Sequence, residues 1–458
     1  MTGPDTSVLL VVLDSVRADR LSCYGYARRT SPNLDALAAE GVRFTHAYSE
    51  STWTLPSLLT LLTGLAPREH RGEATRKLPP EMPTLAATMS GAGYRTFAGT
   101  GNVFLGPRTN THRFFDTLYT PPQLTRGIRW VCCHKVQPLG LADIGGAALA
   151  RRFGKWARRA DGPWFGLLWF NDVHHPYMCP PSGNPEFPPR PLSVARRRQL
   201  TEALRSPRQF AAVATAQDRD DVSVLYDAAI AYADALVGRV LNDLAASGLA
   251  ERTMVIVVAD HGDMLGERGL AGHGPAAGMY DPLLHVPLIV RAPGLAPGVS
   301  SALVQLADVT HTVAATAGVA EQLAATGAER VNLLDAARGA GRTAAVCERD
   351  GLEGRRLARE MAQAPDCDFT PHQAHLAAAI AGGYKLISRD GVPSALYGLG
   401  SDAGETHDVS AQHPHQVANL QAVIADLHGR SLPHTSTEGL SADDEEILDR
   451  RLRDLGYL

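Results

Sequence analysis

Apolar residues run unbroken in three places, Ser7 to Leu13, Trp164 to Phe170 and Met254 to Ala259. Continuous rather than alternating hydrophobicity marks strands covered on both faces, as in a parallel sheet. Before the third run, Tyr226, Ile230, Ala233, Val237, Leu241 and Leu244 recur by threes and fours, forming one helical face that stops near Gly248. This helix-then-strand step predicts an α/β fold with a doubly wound, mostly parallel sheet and right-handed crossovers. From Ala150 to Arg159, Arg151, Arg152, Lys155, Arg158 and Arg159 lie opposite Phe153 and Trp156, which predicts a basic amphipathic helix with a solvated face over the sheet. Pro176 to Arg208 is rich in proline and arginine without an apolar period, and predicts a long surface excursion that shapes a pocket. After about residue 340 the pattern changes. Tyr384 to Ile387, a turn at Arg389, Asp390 and Gly391, and Ser394 to Tyr397 read as a hairpin. The expected division is therefore a catalytic α/β domain over 1–340 and a smaller C-terminal α+β domain over 341–458 with a short antiparallel sheet. A terminal helix capped by Ser441 would place Ile447, Leu448, Leu452 and Leu455 on one side.

The chain has 458 residues, 45% hydrophobic and 20% charged, which excludes disordered, collagenous and coiled-coil classes. With 44 basic and 48 acidic residues the formal net charge is −4, so no partnership with nucleic acid is expected. No run reaches the ~20 apolar residues of a membrane span, and no membrane anchor is read. Six cysteines without CxxC spacing suit reduced thiols and a cytoplasmic location. The adjacent Cys132 and Cys133 are taken as incidental.

Ligands of open parallel sheets bind beyond the carboxyl ends of the strands. The first strand delivers Asp14 there, the second Asn171, Asp172, His174 and His175, the third Asp260, His261 and Asp263. Singly, Asp14 or Asp260 is as often a helix cap as a ligand. Together, crowded carboxylates repel one another unless a divalent cation neutralises them, so the constellation implies a metal. Oxygen donors with one imidazole suit Mg, Mn or Ca, with Zn also compatible. Thr54 precedes Leu55, Pro56 and the apolar stretch to Gly64, placing its hydroxyl at the start of a helix. There it is a nucleophile candidate, beside a metal and free backbone amides.

These residues resemble the sulfatase branch of the alkaline phosphatase superfamily over most of the chain. The opening Asp14-Ser15-Val16-Arg17-Ala18-Asp19 with Cys23-Tyr24-Gly25-Tyr26 and Ser31-Pro32-Asn33-Leu34-Asp35 is similar to its first motif, and Leu59 to Gly64 to the segment after its nucleophile. Asp260-His261-Gly262, Leu265-Gly266-Glu267, Gly272-His273-Gly274 and Val286-Pro287-Leu288-Ile289-Val290 look like its metal and substrate region. Tyr397-Gly398-Leu399 with Asp402, Gly404 and Glu405, and the ending Leu455-Gly456-Tyr457, resemble its C-terminal domain. The resemblance implies an alkaline-phosphatase-like fold. It also implies one divalent metal ion held by Asp14, Thr54, Asp260 and His261, with Thr54 attacking the ester. His174 and His273 fall where relatives bind the anion or protonate the leaving group, and Asn102 falls in the anion-binding segment.

The chain departs from the family pattern at instructive places. Sulfatases oxidise a cysteine or serine to formylglycine, within a motif whose fifth residue is arginine; here those positions are Thr54 and Leu58. The threonine β-carbon carries a methyl group, so oxidation would yield a ketone instead of an aldehyde. The usual Lys-Trp-His-Leu-Gly segment is replaced by Asn102-Val103-Phe104-Leu105-Gly106, and a lysine near the metal by His273. A threonine nucleophile resembles the phosphoethanolamine and phosphoglycerol transferases of the superfamily. The expected activity is thus a metal-dependent hydrolase or transferase of phosphate esters or diesters, acting on a small-molecule anionic ester through a covalent intermediate. The alternatives are a sulfuric or phosphonate ester hydrolase working without formylglycine, and a catalytically silent binding protein of the same fold.

Overall fold

The computed structural model describes residues 5–71, 77–79, 82–107, 109–113, 115–121, 144–177, 184, 186–204, 207–274, 278–323, 329–352, 357–358, 361 and 369–429. The expected tail helix, Leu455-Gly456-Tyr457, and Cys132 and Cys133 lie outside the described residues. Ten strands form a large sheet and a small ribbon: β1 Ser7–Leu13, β2 Val42–Tyr48, β3 Arg95–Thr100, β4 Thr117–Tyr119, β5 Trp164–Phe170, β6 Thr253–Ala259, β7 Met264–Leu265, β8 Ala271–Gly272, β9 Leu288–Arg291 and β10 Gly298–Gln305. The eight-stranded sheet has the order β10-β2-β9-β6-β1-β5-β3-β4, and β7 with β8 makes a separate two-stranded ribbon. Only β9 runs antiparallel to its neighbours β2 and β6, so the sheet is mixed and mostly parallel.

The three continuous apolar runs are β1, β5 and β6, every residue of them buried. They lie side by side with β1 at the centre, and their register is in step: Leu13 pairs with Phe170 on one side and with Ala259 on the other. The next residues of the three strands, Asp14, Asn171 and Asp260, therefore leave the sheet at one level. Topology thus delivers polar side chains to a shared edge although they are far apart in sequence.

The long helical face belongs to the helix Ala216–Ala246, opened by a capping box in which Thr215 and Asp218 exchange hydrogen bonds. The basic helix spans Gly146–Ala157, with Phe153 buried and Arg151, Arg152 and Lys155 exposed. Phe153 packs edge-on against Trp164 of β5, and Gly166 leaves the room it needs: a Cβ there would stand 2.5 Å from the Phe153 ring.

The segment expected as an irregular excursion contains the helix Val194–Ala203 and ends where the helix Pro207–Val213 begins. The first buries little beyond Leu200 and Thr201, so no apolar stripe announces it. Ser193 caps it, and Arg196 reaches Asp218 at 2.6 Å and Asp221 at 2.5 Å on the neighbouring long helix. Ion pairing, to which hydrophobic periodicity is blind, holds this helix in place.

Beyond the large sheet, β11 Ala345–Arg349, β12 Leu376–Ala381, β13 Tyr384–Arg389 and β14 Val392–Gly398 form a four-stranded antiparallel sheet in sequence order. The expected hairpin is β13–β14, turning through Asp390 (φ 49°) and Gly391 (φ 80°), the left-handed pair that a two-residue hairpin turn requires. The helix Pro414–Gly429 covers this sheet through Leu420 and Ile424. Among the described residues no helix is long and apolar enough to cross a membrane.

Candidate active site

Asp14 follows β1 directly, its N–H still donating to the Phe170 carbonyl at 2.9 Å. Its carboxylate is fully buried and heavily braced. Oδ2 accepts from Asn171 Nδ2 (2.7 Å), Trp169 Nε1 (3.0 Å) and Asn102 Nδ2 (3.1 Å), and Oδ1 from the Ser15 hydroxyl (2.8 Å). Ser15 turns the chain away with φ 62°, a left-handed conformation that the fold enforces. The Tyr226 hydroxyl pins that turn by donating to the Ser15 carbonyl at 2.6 Å and accepting from the Arg17 N–H at 2.9 Å.

Asp260 follows β6. Its Oδ1 accepts two backbone N–H bonds, from Ser15 and His261, each at 3.0 Å. Its Oδ2 is buried, makes no hydrogen bond and lies 3.2 Å from His261 Nε2. His261 donates Nδ1–H to the Gly262 carbonyl at 2.8 Å, so Nε2 faces Asp260 and stands 3.1 Å from Thr54 Oγ1. Burial pushes the Asp260 carboxyl above its usual range, with Asp14 adding and His261 opposing. Burial also works against the His261 imidazolium, but the Asp260 and Asp14 carboxylates outweigh it and raise its pKa to about 9.

Thr54 opens the helix Thr54–Thr63, which ends at Gly64 with φ 72°. Trp53 is its N-cap and contributes no side-chain cap, so the Thr54 and Leu55 N–H groups have no cap from that side chain. All ten residues of the helix are buried, which fixes Thr54 on a rigid support.

His273 and, beyond it, His174 adjoin His261. The His273 ring lies 4.4 Å from that of His261 and 4.8 Å from that of His174, with His175 stacked on His174 at 4.2 Å. The β7–β8 ribbon folds the chain back so that His273 Nδ1 lies 3.3 Å from Asp263 Oδ1, while Tyr177 donates to Asp263 Oδ2 at 2.6 Å. His174 donates Nδ1–H to the His175 carbonyl at 2.8 Å. Burial holds both imidazoles well below the ordinary histidine range; His273 adds to this for His174, and His261 and His175 add to it for His273.

Donor atoms of Asp14, Asp260 and His261 all lie within 4.8 Å of one another. The set fits a divalent cation on its own chemistry: two buried carboxylates side by side, one of them with an oxygen that has no hydrogen bond, and an imidazole nitrogen aimed at that oxygen. Thr54 Oγ1 adjoins the same nitrogen, so these four residues come together. Asn102 lies against Asp14, donating one N–H of its amide to Oδ2, and His174 with His273 forms the flank. Asn171 and Asp263, expected at this edge, act here as braces, while Trp169 and Tyr177 join them without a signal in the sequence. Asn171 and Asp263 follow strand ends and could have been weighed as braces, whereas nothing separates Trp169 from its apolar neighbours in β5.

A sequence model of the Sulfatase family matches residues 6–319. Among curated proteins, the choline-sulfatase of Rhizobium meliloti is 25% identical over 489 aligned positions, covering 98% of this chain and 91% of that protein. The uncharacterized sulfatase YidJ of Escherichia coli is 27% identical over 320 positions, and the chain spans 62% of its length. Among solved structures, the phosphonate monoester hydrolase of Agrobacterium radiobacter superposes with a TM-score of 0.72 at 23% identity, covering 92% of this chain and 95% of that one. At that identity the likeness speaks for the fold.

Proposed function

This chain belongs to the sulfatase family, and from that membership we propose that it is a divalent-metal-dependent hydrolase or transferase of phosphate esters or diesters in which Thr54 is the nucleophile. The observation that carries the reading is the position of Thr54 Oγ1, 3.1 Å from His261 Nε2 and at the edge of the Asp14, Asp260 and His261 cluster. Those three residues, with Thr54, would hold the ion. When bound it supplies positive charge that neutralises the carboxylates, lowers the pKa of a neighbouring hydroxyl and offsets charge on the ester oxygens.

The protein residues do the rest. Asp14 is fixed by Asn171, Trp169, Asn102 and Ser15, which sets its orientation before any ligand arrives. Thr54 Oγ1 forms a bond to phosphorus as the bond to the leaving alkoxide breaks in line, giving a phosphothreonine, and its proton passes to the departing alkoxide, which leaves as the alcohol. The amides at the start of its helix, Asn102 and His273 orient the non-bridging oxygens. Asp263, held by Tyr177, keeps Nδ1 of His273 engaged so that Nε2 is the atom presented to the substrate. His174 Nε2, neutral and without a proton of its own, relays the Thr54 proton to the departing alkoxide. Water then cleaves the phosphothreonine in a hydrolase, or a bound alcohol takes the group in a transferase. Threonine has no route to the formylglycine aldehyde, which favours phosphoryl over sulfuryl transfer.

The names of the relatives favour a second reading, sulfuric ester hydrolysis without formylglycine. The reading assigns residues 1–340 to catalysis and 341–458 to a supporting domain, and keeps a small anionic ester as substrate and, on cysteine usage, a cytoplasmic location. The test is a panel of aryl phosphate, phosphodiester, phosphonate and sulfate esters assayed with Mg, Mn, Ca and Zn. Metal-dependent turnover with preference for a phosphorus ester is expected. A strong preference for sulfate would reject the ranking.

A further inference from the structure

A second constellation of ligating side chains lies where the small sheet meets its covering helix. Glu348 belongs to β11, His375 precedes β12, and His428 is in the last turn of the helix Pro414–Gly429. One ligating atom of each lies within 4.8 Å of the other two. Glu348 Oε1 is 3.0 Å from His428 Nε2 and 3.6 Å from His375 Nε2, with the two rings 5.4 Å apart. The Glu348 side chain is 3% exposed, and its second oxygen, Oε2, is buried without a hydrogen-bond partner.

A buried carboxylate oxygen with no donor is costly, and both imidazoles address the other oxygen. A cation bound by the two imidazoles and by both carboxylate oxygens would remove that cost. A tetrahedral ion with bonds of about 2.1 Å holds its ligand atoms about 3.4 Å apart, and the two observed N–O spacings fall on either side of that value. Two imidazole nitrogens with one carboxylate suit zinc and cobalt, whereas calcium and magnesium prefer oxygen shells.

We propose that Glu348, His375 and His428 form a zinc-class metal site that fastens the helix Pro414–Gly429 to the small sheet. The site also bears on the large domain: Glu348 N–H donates to the Glu50 carbonyl at 2.8 Å, shortly before Thr54 in the chain. The proposal is independent of the Thr54 reading, because none of its three residues belongs to that cluster.

The full chain is stripped with EDTA, reloaded with Zn²⁺ alone and freed of excess metal. Bound zinc is then counted in the unaltered protein and in the His375→Gln/His428→Gln variant. The variant is expected to hold one equivalent fewer and to lose the corresponding zinc-induced rise in melting temperature, while retaining turnover of whatever ester the protein accepts. Equal zinc content in the two proteins would overturn the proposal, as would a melting temperature lowered equally in EDTA and in zinc, the mark of hydrogen bonding alone. Should the double variant fail to fold, His428→Gln is titrated with Co²⁺. Loss of part of the visible absorption is expected, and an unchanged spectrum overturns the site.

Discussion

Replacing Thr54 by alanine separates its chemistry from its contribution to folding. The side chain is 1% exposed and its hydroxyl adjoins His261 Nε2. Losing that hydrogen bond costs about 1 kcal/mol, and losing the buried methyl group costs about 1 kcal/mol more. A total of about 2 kcal/mol is tolerable against the 5–15 kcal/mol of roughly typical domains, so Thr54→Ala should remain folded with a slightly lower denaturation midpoint. Activity should respond far more strongly. Without an attacking oxygen the covalent path is closed, and kcat should fall by about 10³-fold or more, equivalent to about 4 kcal/mol of transition-state stabilisation. Thr54→Ser keeps the oxygen and should retain turnover within about tenfold, the difference reflecting a looser rotamer. The assay is release of a chromogenic alcohol from the best ester of the panel under saturating metal, alongside urea unfolding of each variant. A Thr54→Ala protein that is folded and keeps kcat within tenfold of the parent refutes the nucleophile assignment.

Three further perturbations follow from the same framework. His70 is buried against the helix Thr54–Thr63, donating from Nε2 to the Pro56 carbonyl at 3.1 Å, and burial lowers its pKa to about 3. Because the unfolded chain binds the proton more readily, this contribution to stability is complete above about pH 6.5 and is lost as pH falls toward 3. Between pH 6.5 and 5 it should remove about 2 kcal/mol, and His70→Gln should flatten that slope in urea midpoints measured against pH. A Cβ at Gly262 would stand 2.0 Å from the Pro282 carbonyl oxygen, so Gly262→Ala should destabilise by about 2 kcal/mol and, by moving Asp260 and His261, weaken metal binding measured by calorimetry. Lys385 of β13 is buried between Asp281, at 2.6 Å, and Glu405. Lys385→Met leaves these acids facing each other and should cost about 3–5 kcal/mol in thermal or urea unfolding.

The sheet centre was legible because burial on both faces demands continuous apolar runs, and β1, β5 and β6 carry them without interruption. Polar residues at the ends of those runs could be assigned to one edge for the same reason, and the common register of Leu13, Phe170 and Ala259 makes the edge level. Thr54 was legible through helix punctuation, with Pro56 near the start and Gly64 at the end. Other features depend on long-range pairing that leaves no local period. The helix Val194–Ala203 is held by Arg196 and its acidic partners on another helix. The brace on Asp14 joins Asn102, Trp169 and Asn171, whose amide and indole groups acquire meaning only once β3 and β5 flank β1. The Glu348, His375 and His428 cluster likewise arises from an antiparallel sheet and a returning helix, with no recognisable ligand spacing along the chain.

The central claim, a divalent ion shared by Asp14, Asp260, His261 and the Thr54 hydroxyl, is tested most directly by an anomalous difference map from crystals grown with Mn²⁺. The account predicts a peak bonded at about 2.2 Å to both carboxylates, to His261 Nε2 and to Thr54 Oγ1, absent from crystals of Asp260→Asn. A map from metal-saturated, catalytically active protein with no peak among these four groups would contradict it.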